Sequence, residues 1–398
     1  MAWRITSLLL NLAHALDHLM LLVFATAVAA IAHEFGIGRW EDLMPYTTGA
    51  FVMFGIGSLP SGRLGDLWGR RAMMLVYFFG IGGSALLIAL TQNVWQLSLA
   101  LGVMGAFASI YHPVGIPMLL RHTNKPGITI GINGMAGNLG IAVAAVSTGF
   151  LIQYADWRTA FIVPGLVSFA CGLLFMKFAP LEDSAPGKRS VRQIALPPAT
   201  RNRVFLVMTM LAITSSILFN FTTNGNGELL KARLPILVAQ PALLGMLLAV
   251  VYGLSSLSQL AVGRLIDRFP IRNVMLGIIA AQGPVFLLAS FSQGWTLYLA
   301  MIAFMVLVFG AIPFTDAIIA RFVDDSIRSR VSGMRLAVSF GVSSMAVWAL
   351  GPAVKTAGFG SALLVLGALG ICSLLITLQL PDEQSIRKAS AAHGPQTA

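Results

Sequence analysis

Apolar runs long enough to cross about 30 Å of hydrocarbon as α-helix recur twelve times along this chain. They are read at residues 5–33, 44–64, 72–92, 96–120, 127–154 and 157–179, then at 204–224, 241–263, 273–292, 295–321, 329–353 and 358–380. Hydrocarbon offers no water to backbone N–H and C=O groups, so segments of this length must satisfy those groups internally, as helices. An all-α integral membrane protein of twelve transmembrane helices is therefore expected. Composition agrees: 57% hydrophobic and 10% charged residues exclude an ordinary soluble domain. The 40 glycines and 18 prolines suit membrane helices, where both are commoner than in soluble ones.

The runs fall into two sets of six. Residues 1–179 form an expected N-terminal six-helix bundle, 180–203 a linker rich in Pro, Lys and Arg, 204–380 a C-terminal bundle and 381–398 a tail. A net charge of +11 raises the question of nucleic acid, but the basic residues stand in short clusters between apolar runs and form no continuous face, so no nucleic-acid partner is expected. Placing both termini in the cytoplasm leaves only Arg39, Arg158, Lys231, Arg233 and Lys355, of 26 Lys and Arg, on the far side. The N-terminal run is interrupted by Asn11, His14, Asp17 and His18, so it reads as a retained first helix and not as a cleaved signal. Cys171 and Cys372 lie inside apolar runs and read as packing residues. There is no Gly-x-x-x-x-Gly-Lys-Ser/Thr phosphate loop. No cofactor or metal is expected.

Between the second and third runs stands Gly62-Arg-Leu-Gly-Asp-Leu-Trp-Gly-Arg-Arg71, and a weaker copy, Gly263-Arg-Leu-Ile-Asp-Arg-Phe-Pro-Ile-Arg272, stands about half a chain later. The first resembles the signature loop of major facilitator superfamily transporters at Gly62, Asp66, Gly69, Arg70 and Arg71; the second keeps Gly263, Asp267 and Arg272. His112-Pro113 and Gly131-Ile-Asn133 find counterparts in Ile312-Pro313 and Gly333-Met-Arg335. The resemblance implies two six-helix halves related by a pseudo-two-fold axis, rocking to open on alternate sides. It also implies a conformational latch at the repeated loop. From the residues alone, Asp66 is placed to cap a neighbouring helix terminus and Arg70 and Arg71 to pair with carboxylates or lipid phosphates, or the loop is a charged turn anchoring two spans.

Within the first run, Asn11, His14 and His18 share a helix face, with Asp17 beside it. An ionisable group near mid-membrane is costly and usually lines a path or pairs with another group. A carboxylate with two imidazoles can exchange protons near neutral pH; a metal held by His14 and His18, or hydrogen bonding within the bundle, are the other readings. In the fourth run, Pro113 and Pro117 flank His112 and free backbone carbonyls at membrane depth. The order Gly105, His112-Pro113, then Gly134, Gly137-Asn138 and Gly140, resembles the fosmidomycin-resistance group of bacterial facilitators. Leu101 stands where drug/proton antiporters of the superfamily carry Arg, and the fifth run lacks their Gly-Pro pair.

In the second half Asn220, Thr222, Thr223, Asn224, Asn226 and Glu228 either line the outer part of a cavity or mark the exit of the seventh run. Asp316 and Arg335 each lie inside a span and are expected at similar depth, as a static pair, a pair that opens, or with Arg335 as contact for an anionic substrate. Trp157-Arg158 reads as an interfacial anchor. Together these features, with the resemblance, imply a non-enzymatic, monomeric, multi-pass protein of a bacterial inner membrane. It would export a small anionic or amphiphilic solute by proton antiport, using His14, Asp17, His18, His112 and Asp316 for protons and Asn11, Tyr111, Asn138, Asn220, Asn224 and Arg335 for substrate. Import with protons, a receptor, and a membrane-embedded enzyme are the rivals.

Overall fold

The structure is a computed structural model that describes residues 2–121, 123, 126–181, 198–322 and 325–381. Its helices are α1 (Ala2–Glu34), α2 (Trp40–Leu43), α3 (Thr48–Trp68), α4 (Arg70–Ala89), α5 (Val94–Ala108), α6 (Ile116–Leu120), α7 (Pro126–Tyr154), α8 (Thr159–Phe178), α9 (Pro198–Arg233), α10 (Pro241–Arg268), α11 (Ile271–Phe291), α12 (Gly294–Phe322) and α13 (Asp325–Leu378). There is no strand among the described residues. Ten of the described helical segments are long and apolar enough to cross a membrane. The 21 residues of α3 are also long enough, although Gly, Ser, Pro, Arg63 and Asp66 dilute their apolar character. In α13 two spans run together across Gly358, whose φ of 75° breaks the helical path. Twelve membrane-crossing segments result among the described residues.

Several boundaries differ from the sequence reading, each for a local reason. The fourth run is not one regular helix: Pro113 lacks an N–H and crowds the preceding turn, and Tyr111–Gly115 relaxes into a π-helical turn between α5 and α6. The seventh run does not stop at residue 224; α9 begins at Pro198, inside the stretch read as linker, and continues to Arg233. Its polar residues break the apolar pattern without breaking the helix, because Thr222, Thr223 and Asn224 bond back to carbonyls of their own preceding turn.

Helix contacts in one half repeat in the other. Within the first half α1 packs on α7, α3 on α5, and α4 on α5 and α8; within the second, α9 packs on α13, α10 on α12, and α11 on α12 and α13. This is the expected pseudo-two-fold relation, written in packing. The signature loops end on matching partners. Arg71 donates through Nε to the Ala179 carbonyl (2.9 Å) and through Nη2 to that of Met176 (2.6 Å), closing the C-terminus of α8. Arg272 donates through Nη2 to the Leu378 carbonyl (3.2 Å) at the end of α13. Those arginines thus cap helix carbonyls, whereas carboxylates or lipid phosphates were the partners expected for Arg71. We call this the arginine end of the molecule.

The halves meet tightly at the opposite end. A Cβ on Gly149 would lie 2.4 Å from the Pro241 carbonyl oxygen, and one on Gly245 2.5 Å from that of Ala145, so only glycine lets α7 and α10 approach this closely. The Gln153 side chain accepts from the Ala242 amide at 2.9 Å. α2 lies against α13: Trp40 stacks on Phe359 at 6.0 Å, and Lys355 pairs with Asp42 at 2.5 Å. A Cβ on Gly351 would strike the Glu41 carbonyl oxygen at 2.1 Å. At mid-depth, Phe54 of α3 meets Phe340 of α13 edge to face at 4.3 Å.

Candidate functional site

Asp17 stands halfway along α1 and is fully buried, at 0% exposure. Neither carboxylate oxygen has a hydrogen-bond partner. Among the described residues the nearest ionisable nitrogen is Nε2 of His112, 3.8 Å from Oδ2. His112 arrives from the π-helical turn, whose extra residue re-aims the side chains of a helix that would otherwise present a regular face. Phe54 and Phe340 lie 5.9 and 6.0 Å from the His112 ring, so an aromatic contact between the halves closes over it.

His14 organises the rest. Its ring stacks on Tyr111 at 4.8 Å and lies edge-on to His18 at 4.8 Å and His112 at 5.0 Å. Its Nδ1 stands 2.8 Å from the backbone carbonyl oxygen of Asn133. A carbonyl only accepts, so Nδ1 carries the proton and Nε2 keeps its lone pair. Nε2 has no hydrogen-bond partner. The ring is held from behind by α7, since a Cβ on Gly137 would lie 2.7 Å from it. A neighbouring approach is closer still: a Cβ on Gly140 would lie 2.1 Å from the Ala15 carbonyl oxygen.

Asn133 joins three helical segments. Its Nδ2 donates to the Tyr111 hydroxyl (2.6 Å) and to Asn11 Oδ1 (3.0 Å), while its carbonyl holds His14. Tyr77 of α4 adds a bond from its hydroxyl to the Ala13 carbonyl at 2.7 Å. Of the residues expected to form the site, Asn11, His14, Asp17, His18, Tyr111 and His112 come together here. Asn138 is buried on α7, between Gly137 and Gly140. Sequence reasoning missed Asn133 as a member, although it noted this position as the counterpart of Arg335; an uncharged amide in an apolar run was the available signal. Tyr77, Phe54 and Phe340 carried none, being apolar or aromatic residues in apolar helices.

The second half contributes separately. Asn220 donates to the Ser343 hydroxyl at 2.7 Å, linking α9 to α13, and Asn224 donates to the Asn220 carbonyl at 2.9 Å. With Thr222, Thr223 and Asn226 they are buried, so this stretch is helix interior and not the exit of the span. Leu22 and Thr26 of α1, Thr223 and Asn224 of α9, and Tyr252 of α10 border a small space between the halves. The Asp316 side chain lies outside the described residues, as do 182–197 of the linker and the tail from 382. Arg335 is half-buried on α13, ten residues from the start of that helix, whereas Asp316 is six from the end of α12. The pair is thus less level than expected. Asp66 is exposed, and α4 begins at Arg70 after an N-cap Gly69 (φ 87°) that makes no side-chain cap bond. Gly62, Gly263, Asp267 and Arg70 lie at or beside the two turns of the arginine end.

Comparison with known proteins places this geometry. The family model described as Major Facilitator Superfamily matches residues 10–230. The tetracenomycin C resistance and export protein of Streptomyces glaucescens is 28% identical over 39% of this chain and 30% of its own length. The 4-hydroxybenzoate transporter PcaK of Pseudomonas putida is 26% identical over 45% of this chain and 40% of its own. The matched stretch thus spans less than half the length of either relative. In three dimensions the inward-open xylose transporter XylE from E. coli superposes with a TM-score of 0.78 over 97% of this chain and 98% of that one, at 12% identity, which shows a shared fold alone. With more than half of its residues matched by the family model, this chain is a multi-pass membrane protein that belongs to the major facilitator superfamily.

Proposed function

We propose that this chain moves a small organic solute across the bacterial cytoplasmic membrane by alternating access, driven by protons. The observation that carries the reading is Asp17: a wholly buried carboxylate at the middle of α1, without a hydrogen-bond partner and facing His112. Such a group is costly at membrane depth and is retained where it takes up and releases charge on a path. In this reading Asp17 and the surrounding imidazoles carry the proton. Asn11, Tyr111, Asn138, Asn220, Asn224 and Arg335 contact the solute, and Asp316 responds to Arg335.

Residues 1–179 and 204–380 act as the rocking units. Both termini and the arginine end face the cytoplasm, where Asp66 and Asp267 with their neighbouring glycines and arginines latch one of the two states. The protein works as a monomer, with lipid around its exposed apolar faces. Export of an anionic or amphiphilic compound by proton antiport is the direction we favour, supported by the resistance-and-export name of one relative and by the resemblance to the fosmidomycin-resistance group. Proton-coupled uptake of an organic anion is the second reading, supported by the relatives named for transport of 4-hydroxybenzoate and cis,cis-muconate.

Inside-out vesicles carrying the protein, given a panel of aromatic acids, dicarboxylates and amphiphilic drugs, test both. Antiport predicts accumulation only while the vesicle interior is acidified, and Asp17→Asn removes that dependence while leaving solute counterflow. Uptake in the physiological direction predicts the reverse flux. Solute movement indifferent to the proton gradient in the wild type would overturn proton coupling in either direction.

A further inference from the structure

We propose that His14, His18 and His112, completed by Asp17, form a binding site for one divalent transition-metal cation of the zinc class. One ring nitrogen from each histidine lies within 4.8 Å of the other two. Tetrahedral coordination with metal–nitrogen bonds of about 2.0–2.1 Å brings such atoms to about 3.4 Å apart. Closing on an ion therefore asks each nitrogen to move about 1 Å.

Three further observations point to a cation. His14 donates its Nδ1 proton to the Asn133 carbonyl, which fixes the tautomer and leaves a buried, unpartnered lone pair on Nε2. That is the outer-shell bond metal-ligating histidines ordinarily make. Asp17 stands beside that three-histidine group, fully buried with both oxygens unpartnered and 3.8 Å from His112 Nε2, where it would supply a negative fourth ligand. Gly137 admits the His14 ring against α7, so the central ligand is already positioned. A nitrogen-rich donor set with one carboxylate selects zinc, cobalt, nickel or copper over magnesium and calcium, which prefer oxygen.

The ligands overlap the proton path proposed above, but the test is binding at rest and needs no transport. Protein purified without a polyhistidine tag, in detergent, is titrated with Zn2+ by calorimetry, and its Co2+ form is examined by visible absorption. One ion per chain is expected, with the intense visible bands of four-coordinate cobalt. His14→Gln and His112→Gln should each weaken Zn2+ binding by about tenfold or more. The triple variant His33→Gln, His122→Gln, His393→Gln, which removes every other histidine, should bind as the wild type does. Absence of saturable binding, weak octahedral cobalt bands only, or loss of binding in the triple variant would each overturn the site. The cobalt spectrum of the wild type decides the matter even if a cluster variant fails to fold. Transport that proves independent of protons leaves this result untouched.

Discussion

Asn133 shows how much one amide does at membrane depth. Its side chain holds Asn11 and Tyr111 and its carbonyl holds His14, so two segments, α1 and the π-helical turn, are referenced to one residue of α7. Asn133→Leu keeps the carbonyl but strands the Asn11 oxygen and the Tyr111 hydroxyl. Interhelical hydrogen bonds in membranes contribute about 0.6–2 kcal/mol each, so a loss of about 1–4 kcal/mol is expected for the two. It should appear as a lowered midpoint of thermal unfolding in detergent. An unchanged midpoint would show that the amide does not hold the helices. A different economy governs the aqueous boundary. There Trp157 donates to Glu34 at 2.5 Å, Arg158 pairs with the same carboxylate and lies over the Trp157 ring, and the Thr159 amide holds the Asp156 carboxyl below its usual range. The sequence showed the polar residues of α1 and the His112-Pro113 pair separately. Their convergence was hidden, because a helical period says which residues share a face and nothing about which helix that face meets.

At the scale of elements, the two signature loops differ in strength as their sequences do. Arg71 makes two bonds to the last turn of α8, whereas Arg272 makes one, longer bond to the end of α13. Each net hydrogen bond contributes about 1 kcal/mol and charge near a helix C-terminus adds a few tenths. Arg71→Gln should therefore destabilise the end of α8 by about 2 kcal/mol and Arg272→Gln the end of α13 by about 1 kcal/mol. Amide exchange in residues 175–178 and 375–378 measures the two directly, and equal acceleration would contradict the asymmetry. Most spans were legible from hydropathy because lipid tolerates few alternatives to a helix. The exceptions have physical causes. Polar residues that bond to their own turn let α9 run on to Arg233. Around Pro113 the prolines announced a break in the hydrogen-bond ladder but not its form, a π-helical turn. The short α2 is too small and too polar to announce itself, yet it carries Asp42 and Trp40 onto the other half.

For the molecule as a whole, the alternating access proposed above requires the packed end opposite the arginines to separate. α2 belongs to the first half, and its contacts at Lys355, Phe359 and Gly351 all belong to the second. The ion pair between Lys355 and Asp42 is exposed, and such pairs contribute about 0–1 kcal/mol, too little to prevent opening. The close glycine contacts of α7 with α10 likewise release without stranding buried charge. A covalent bond at the same place is a different matter. In a Cys372→Ser background, which removes the exposed native thiol, the pair Asp42→Cys and Lys355→Cys can be joined by a short reducible bifunctional reagent. Bridging should stop solute turnover in vesicles almost completely, and dithiothreitol should restore it. Solute binding from the arginine end should survive bridging, because the bridge holds the closed end closed and leaves the other end free. Turnover at the unbridged rate in fully bridged protein would show that these two elements travel together, and that the halves part elsewhere.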